Sequence, residues 1–222
     1  MSYSKDYSAL LDLFIRLVNS QAGKEIKFGD EWLNDAQTLS IKLFQHLVSM
    51  QTIASGSTIK QYNATTVSFV DHSSIKVIAR AALETYLVFF YLYGSTDRAI
   101  SEFRHKTWCL GGLIDRQSSY ISTDEHRQVL ISERRQIDAL KCEIKESAQF
   151  QLYPLKHQTK LLEGKWRIGN DWSELGVQAG FHKKYFKNIY GYLCGYSHSS
   201  YISALQVGQA QSMVIPPEIS AS

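Results

Sequence analysis

Four ionisable side chains stand four residues apart in the most apolar stretch of the chain. They are His72, Lys76, Arg80 and Glu84, within DHSSIKVIARAALETYLVFFYLYG from Asp71 to Gly94. On a helix this spacing puts them in one row along one face. Such a row offers electrostatic and acid–base chemistry. A guanidinium at Arg80 can steady a phosphate or an oxyanion, and a carboxylate at Glu84 can orient an imidazole that moves a proton near neutral pH. The imidazole is sought near the C-terminus, where Gly195-Tyr196-Ser197-His198-Ser199 supplies Ser197 and His198. Arg80, Glu84 and His198 form the candidate catalytic trio, and His46, His72, Lys76, Tyr196 and Ser197 are the candidate binding residues. The same row has a plainer reading. Arg80 and Glu84 can pair with each other and fix helix register, because an unpaired buried charge is costly.

Other chemistries lack their residues. There is no GxxxxGK[ST], no GxGxxG after a strand, no HExxH and no EF-hand loop. The GYSHS block lacks the second glycine of a nucleophile elbow and has no strand before it. Cys109, Cys142 and Cys194 are odd in number, widely spaced and without a CxxC pair, which speaks against a disulfide scaffold and a zinc knuckle. No metal and no cofactor are expected.

The elements that must position the row read as helices throughout, since proline occurs only at Pro154, Pro216 and Pro217. Leu10, Leu11, Phe14, Ile15, Leu17 and Val18 give a first helix over about 8–20. Asp30 can cap a second helix to about Ser55, with Asp35, Lys42 and His46 on its polar face. SGSTIKQYN, residues 55–63, reads as a turn-rich connection, and the central apolar helix spans about 64–94. A fourth helix follows from Arg98 to about Ser118 and carries Gly111 and Gly112. Ser122 with Glu125 has the form of a capping box for a fifth, whose Glu133, Arg134, Arg135, Lys141, Glu143, Lys145 and Glu146 form a charged outer face. From Gln151 to Asp171 periodicity fails and Trp166 would pin a long connection. Asp171 with Glu174 resembles another capping box. The last helix runs from Lys183 to about Gln206, with Gly191 and Gly195 on a stripe that would let it approach the central helix closely.

The fold class expected is therefore all-α, a single domain at 1–207 of about five to seven helices around the central one, with a frayed tail at 208–222. A chain of 222 residues can bury a core without staples. Its 44% hydrophobic and 20% charged residues are ordinary for a globular protein, and a net charge of +3 permits acidic partners without implying them. The N-terminus has Asp6 and Asp12 and no cleavage pattern, and no apolar run is long enough to span a bilayer. A cytoplasmic protein without a membrane partner is expected.

Several blocks together resemble a bacterial all-helical family of unknown function. They are Trp32-Leu33-x-Asp35-Ala36, Lys42-Leu43-x-x-His46, Ala79-Arg80-Ala81-Ala82-Leu83-Glu84, Phe103-Arg104-x-x-x-Trp108, and Tyr190-x-Tyr192-Leu193-Cys194-x-Tyr196-Ser197-His198-Ser199. The ARAALE and YSHSS blocks are the more specific. More distantly this pattern is similar to the HEPN superfamily of helical bundles, which includes dimeric, metal-independent ribonucleases of toxin and phage-defence systems. The resemblance implies RNA as partner, a homodimer, and an endoribonuclease activity. An Arg-x4-6-His motif of that superfamily is matched in spacing by Arg98 and His105, although Ala99 stands where a polar residue usually follows the Arg. If the likeness extends to the site, Arg80 and His198 would act across helices.

Three readings thus stand side by side. The first is a HEPN-like, nucleic-acid-directed domain in which His198 acts on the 2′-hydroxyl or the leaving oxygen while Arg80 steadies the phosphate. The second is a non-catalytic helical interaction module with Arg80 and Glu84 as structural ions. The third is a small-ligand pocket lined by His46, Arg80, Glu84 and Tyr196.

Overall fold

The computed structural model describes residues 3–60 and 66–212. The fold class is all-α, with more helices than expected: ten α-helices, one 3₁₀ turn and one hairpin lie among the described residues. In chain order these are α1 (Tyr3–Gln21), the 3₁₀ turn Glu31–Leu33, α2 (Asn34–Ala54), β1 (Ser57–Lys60), β2 (Thr66–Phe69) and α3 (His72–Tyr93). Then follow α4 (Arg98–Gln117), α5 (Asp124–Glu146), α6 (Ala148–Gln151), α7 (Leu155–Leu162), α8 (Trp172–Gln178), α9 (Lys183–Ser197) and α10 (Tyr201–Ser212).

Contacts gather into two compact units, Met1–Leu87 with Gly176–Ser222, and Val88–Leu175. Helix α3 contributes to both. In the first unit, Leu11 of α1 and Leu39 of α2 are buried, Phe14 meets Phe44 at 5.8 Å, and the Tyr7 hydroxyl donates to the Leu47 carbonyl at 2.8 Å. Phe186 of α9 is almost fully buried, stacks on Tyr190 at 5.7 Å and meets Phe181 at 5.6 Å. Gly176 lies beneath that ring, where an added Cβ would come within 2.7 Å of it.

The central helix starts later than the apolar pattern suggests. Thr66–Phe69 pairs antiparallel with Ser57–Lys60, in register Ser57 with Phe69 and Lys60 with Thr66. Strands of four residues are too short for alternation to register, but their Thr, Ile and Val content suits them to a ladder. Asp71 then opens α3: its carboxylate accepts from the Ser74 amide at 2.9 Å and from the Ser74 hydroxyl at 2.5 Å. These Ser74 bonds hold the Asp71 carboxyl below its usual range.

The expected last helix is two helices. Ser199 adopts φ +49°, its amide donates to the Tyr196 carbonyl, and the Ser200 amide donates to the Gly195 carbonyl at 2.9 Å. These are the two bonds of a Schellman ending, with serine where glycine usually sits. Ser200 caps the next helix through Ser203, so α10 continues to Ser212 across residues expected to be frayed. The rest of the expected tail, 213–222, lies outside the described residues.

The second unit is built on an apolar cluster of Phe103, Leu110, Ile137, Ile144, Phe150 and Leu161, drawn from α4, α5, α6 and α7. A short helix, α7, lies within the stretch 151–171 expected to be a long connection, and α6 ends at its first residue. Thr123 rather than Ser122 caps α5, its hydroxyl accepting from the His126 amide. The charged face of α5 is not wholly solvated: Glu133 is buried and holds Arg116 of α4 through both carboxylate oxygens, with Arg116 Nε 3.1 Å from Oε2. Gly111 serves close approach, because a Cβ there would stand 2.7 Å from the Gly164 carbonyl oxygen and 2.9 Å from the Trp166 ring. Trp166 does pin its segment, packing 5.5 Å from the Tyr91 ring while the Tyr91 hydroxyl donates to the Trp166 carbonyl. Burial pushes the Tyr91 phenol up to about 12. The capping box of α8 is present, with Asp171 and Glu174 exchanging backbone-to-carboxylate bonds at 2.8 and 2.9 Å.

Candidate functional site

The ionisable row lies on α3 within the first unit, and the inner stripe of α9 meets it. Phe186, Tyr190 and Leu193 follow one another at i, i+4 and i+7, so they share a face. The outer two are buried, and Tyr190 between them brings a hydroxyl to the row. That hydroxyl donates to Glu84 Oε1 at 2.6 Å, and Arg80 Nε donates to the same oxygen at 2.9 Å. The Arg80 guanidinium also lies 5.6 Å from the centre of the Tyr190 ring. Arg80 and Glu84 remain 22% and 27% exposed, so the pair is half-buried.

Two turns before Glu84 on α3, Lys76 repeats the arrangement. Its ammonium donates to the Tyr196 hydroxyl at 2.6 Å, 4.0 Å from that ring's centre and 5.3 Å from that of Tyr192. The Tyr196 hydroxyl in turn donates to Gln206 Oε1 of α10, which ties the last helix to the same network. The order of partners is reversed, Lys76 with Tyr196 and Glu84 with Tyr190, so α9 runs antiparallel to this part of α3.

These contacts fix protonation. Burial, and then the bond to Glu84, push the Tyr190 phenol well above its usual range, so it stays a donor at neutral pH. Burial would lower Lys76, but its bonds to Tyr192 and Tyr196 outweigh that and raise it. For Tyr192, burial works upward and is outweighed by Lys76 and Tyr196, which lower it. Burial likewise opposes Arg80, and Glu84 with Tyr190 prevails and raises it. Lys76 and Arg80 therefore keep their charges, and Tyr190 its proton, at neutral pH. The row is arranged to hold two helices together.

The expected catalytic trio does not assemble. His198 is exposed at the C-terminal end of α9, and among the described residues no hydrogen bond, ion pair or ring contact joins it to Arg80 or Glu84. It lies eight residues beyond Tyr190, a rotation of about 80° round the helix, and the Schellman ending stops α9 there. Ser197 turns its hydroxyl back to the Leu193 carbonyl at 3.4 Å. His72 is exposed at the first residue of α3. His46 of α2 is half-buried with Nε2 unbonded, and burial, then Lys42, hold its imidazole below the usual range. No described contact joins His46 to Arg80, Glu84 or Tyr196. Lys76 and Tyr196 are brought together as candidates, but with each other.

The glycine stripe of α9 also has another use. A Cβ added at Gly191 would meet nothing within 4 Å, and one at Gly195 would stand 3.0 Å from Ser200 Oγ, so neither glycine admits a neighbouring helix. Close approach is made by phenols reaching across. Tyr190 was legible as the polar centre of the Phe186–Tyr190–Leu193 stripe, whereas Gln206 belongs to a helix whose separate existence the sequence hides.

Arg98 and His105, which match the HEPN spacing, lie in the second unit. Arg98 is tied to Glu102, and His105 is buried beside Tyr93, Trp108 and the Cys109 thiol. That unit also has an open cleft of about 780 Å³ lined by Asp115, Lys165, Trp166, Arg167 and Trp172 among others. Arg167 lies over both indoles, at 5.2 and 4.1 Å. No helix among the described residues is long and apolar enough to cross a membrane. No protein-family model, curated protein or solved structure matches the chain.

Proposed function

We propose that the protein is a non-catalytic helical interaction module whose ionisable row is a structural lock. One observation carries this reading: a single carboxylate oxygen of Glu84 receives both the Arg80 guanidinium and the Tyr190 hydroxyl. Arg80, Glu84 and Lys76 are each answered from within the same unit. A proton-transfer site needs a group whose ionisation lies near the working pH, and burial with hydrogen bonding moves Tyr190 away from it. Function then resides on the outer faces of the helices. The test is a thermal melt of Arg80→Ala beside the wild type. Breaking a buried pair costs roughly 3–5 kcal/mol, and half exposure reduces this to about 2 kcal/mol. A variant that melts as the wild type does while losing a measured activity would overturn the reading.

A second reading, a HEPN-like metal-independent ribonuclease acting in defence as a homodimer, is favoured by a different observation. His198 is exposed, and its neighbour Ser199 occupies the left-handed region that serine rarely adopts. In this reading His198 takes the proton of a 2′-hydroxyl or gives one to the leaving oxygen, and the phosphate falls to a group other than Arg80, which Glu84 holds. Growth inhibition on expression, relieved by His198→Ala, is its expected result. Inhibition undiminished in that variant counts against it.

A further inference from the structure

The outer face of α9 gathers cations in a stretch of chain without acids. Lys183, Lys184 and Lys187 are exposed in its first two turns, and no residue from Leu175 to Pro217 is Asp or Glu. Among the described residues none of the three lysines is paired. Some surface cations elsewhere have carboxylates, as Lys106 has Glu143 and Arg127 has Asp124, while Lys156 and Lys160 of α7 are exposed without one among the described residues; what sets α9 apart is the length of acid-free chain around its lysines. Three cations at the positive end of a helix oppose its dipole, and the first turn holds no acid to relieve them. The helix dipole does not favour this charge.

Beside the lysines stand exposed rings. Tyr185 is 61% exposed and Tyr192 39%, seven residues apart and so on one stripe about 10 Å long. Tyr192 is held edge-on against Tyr196 at 5.3 Å, which fixes its plane. Lys183 and Lys187 form a parallel stripe about 6 Å long. Asn188 and Gly191, both exposed, lie between the two stripes, and Gly191 leaves open space there. One edge of the face is cationic and the other is aromatic, with a shallow lane between.

We infer that this face of α9 docks single-stranded nucleic acid, with Lys183, Lys184 and Lys187 on the phosphates and Tyr185 and Tyr192 stacking on bases. Charge complementarity selects a polyanion, and the rings select one whose π-faces are free, which a duplex does not offer. The inference rests on the interaction-module reading and names its partner. Tyr192 also touches Lys76, but Lys183, Lys187 and Tyr185, the positions changed in the test, have no described contact with the row, so the two can fail separately.

The experiment is fluorescence anisotropy of labelled 12-mers of oligo(U) and oligo(dT) with the full chain, at several salt concentrations. The comparison is with duplex of equal length and with phosphatidylserine vesicles. Binding to single strands in preference to both is expected, and the two oligomers decide between RNA and DNA. Lys183→Gln with Lys187→Gln should weaken binding at least tenfold and flatten the log–log salt slope by about 1.4, at roughly 0.7 per phosphate contact. Tyr185→Ala should weaken it about tenfold and leave the slope unchanged. All these positions are exposed, and each variant's melting temperature is read alongside. No single-strand binding by the wild type, equal binding to duplex or vesicles, or binding indifferent to both variants would overturn the inference. None of these results alters the expected melt of Arg80→Ala.

Discussion

The apolar cluster of one unit and the α3–α9 junction of the other are held by different means. In Val88–Leu175, Phe103, Leu110, Ile137, Ile144, Phe150 and Leu161 meet in one apolar cluster, and the buried Glu133 is answered by Arg116 at its margin. In the other unit, α3 and α9 meet through Arg80, Glu84 and Tyr190 and through Lys76, Tyr196 and Gln206. Apolar contacts stabilise in proportion to area and tolerate substitutions of similar shape. Hydrogen-bonded ions are directional and admit one register. The cluster of the second unit can be repacked, whereas the α3–α9 junction of the first has to be matched residue by residue.

The contrast can be broken most severely in the apolar cluster. Leu110 is fully buried, and Leu110→Ala should cost about 3 kcal/mol by urea denaturation, while Leu110→Met should cost under about 1.5 kcal/mol. The lock should respond in the opposite way to shape. Tyr190→Phe keeps the ring stacked on Phe186 and removes only the hydroxyl, and a cost of about 1–2 kcal/mol is expected from loss of its hydrogen bonding to charged groups. If that variant were as stable as the wild type, the phenol would be packing alone. The smallest effect is a pH slope. The His46 imidazole is depressed in the folded state, so the unfolded chain binds the extra proton first as pH falls. Stability should therefore decline as pH drops from about 7 through 6.5, and His46→Leu should remove that part of the slope in melts taken between about pH 5 and 8.

What the sequence made legible was periodicity. Arg80 and Glu84 sit four apart and do pair, and the box of Asp171 and Glu174 forms. Long-range partnership was not legible. His198 looked like the group that would meet the row because an imidazole does more chemistry than a phenol, but helical phase favours Tyr190. The break after His198 was hidden because Ser199 takes a conformation that sequence associates with glycine. The hairpin was hidden because its strands are four residues each, below the length at which a period of two can be told from chance.

That break sets the order in which the chain comes apart. Beyond Ser199, α10 is anchored through Gln206 and the Ser200 cap, so it can unwind while α9 stays in place. A protease meeting the folded molecule would find its scissile bond near Ser199, where the backbone is exposed and already turned out of the helix, and would leave the Arg80–Tyr190 junction whole.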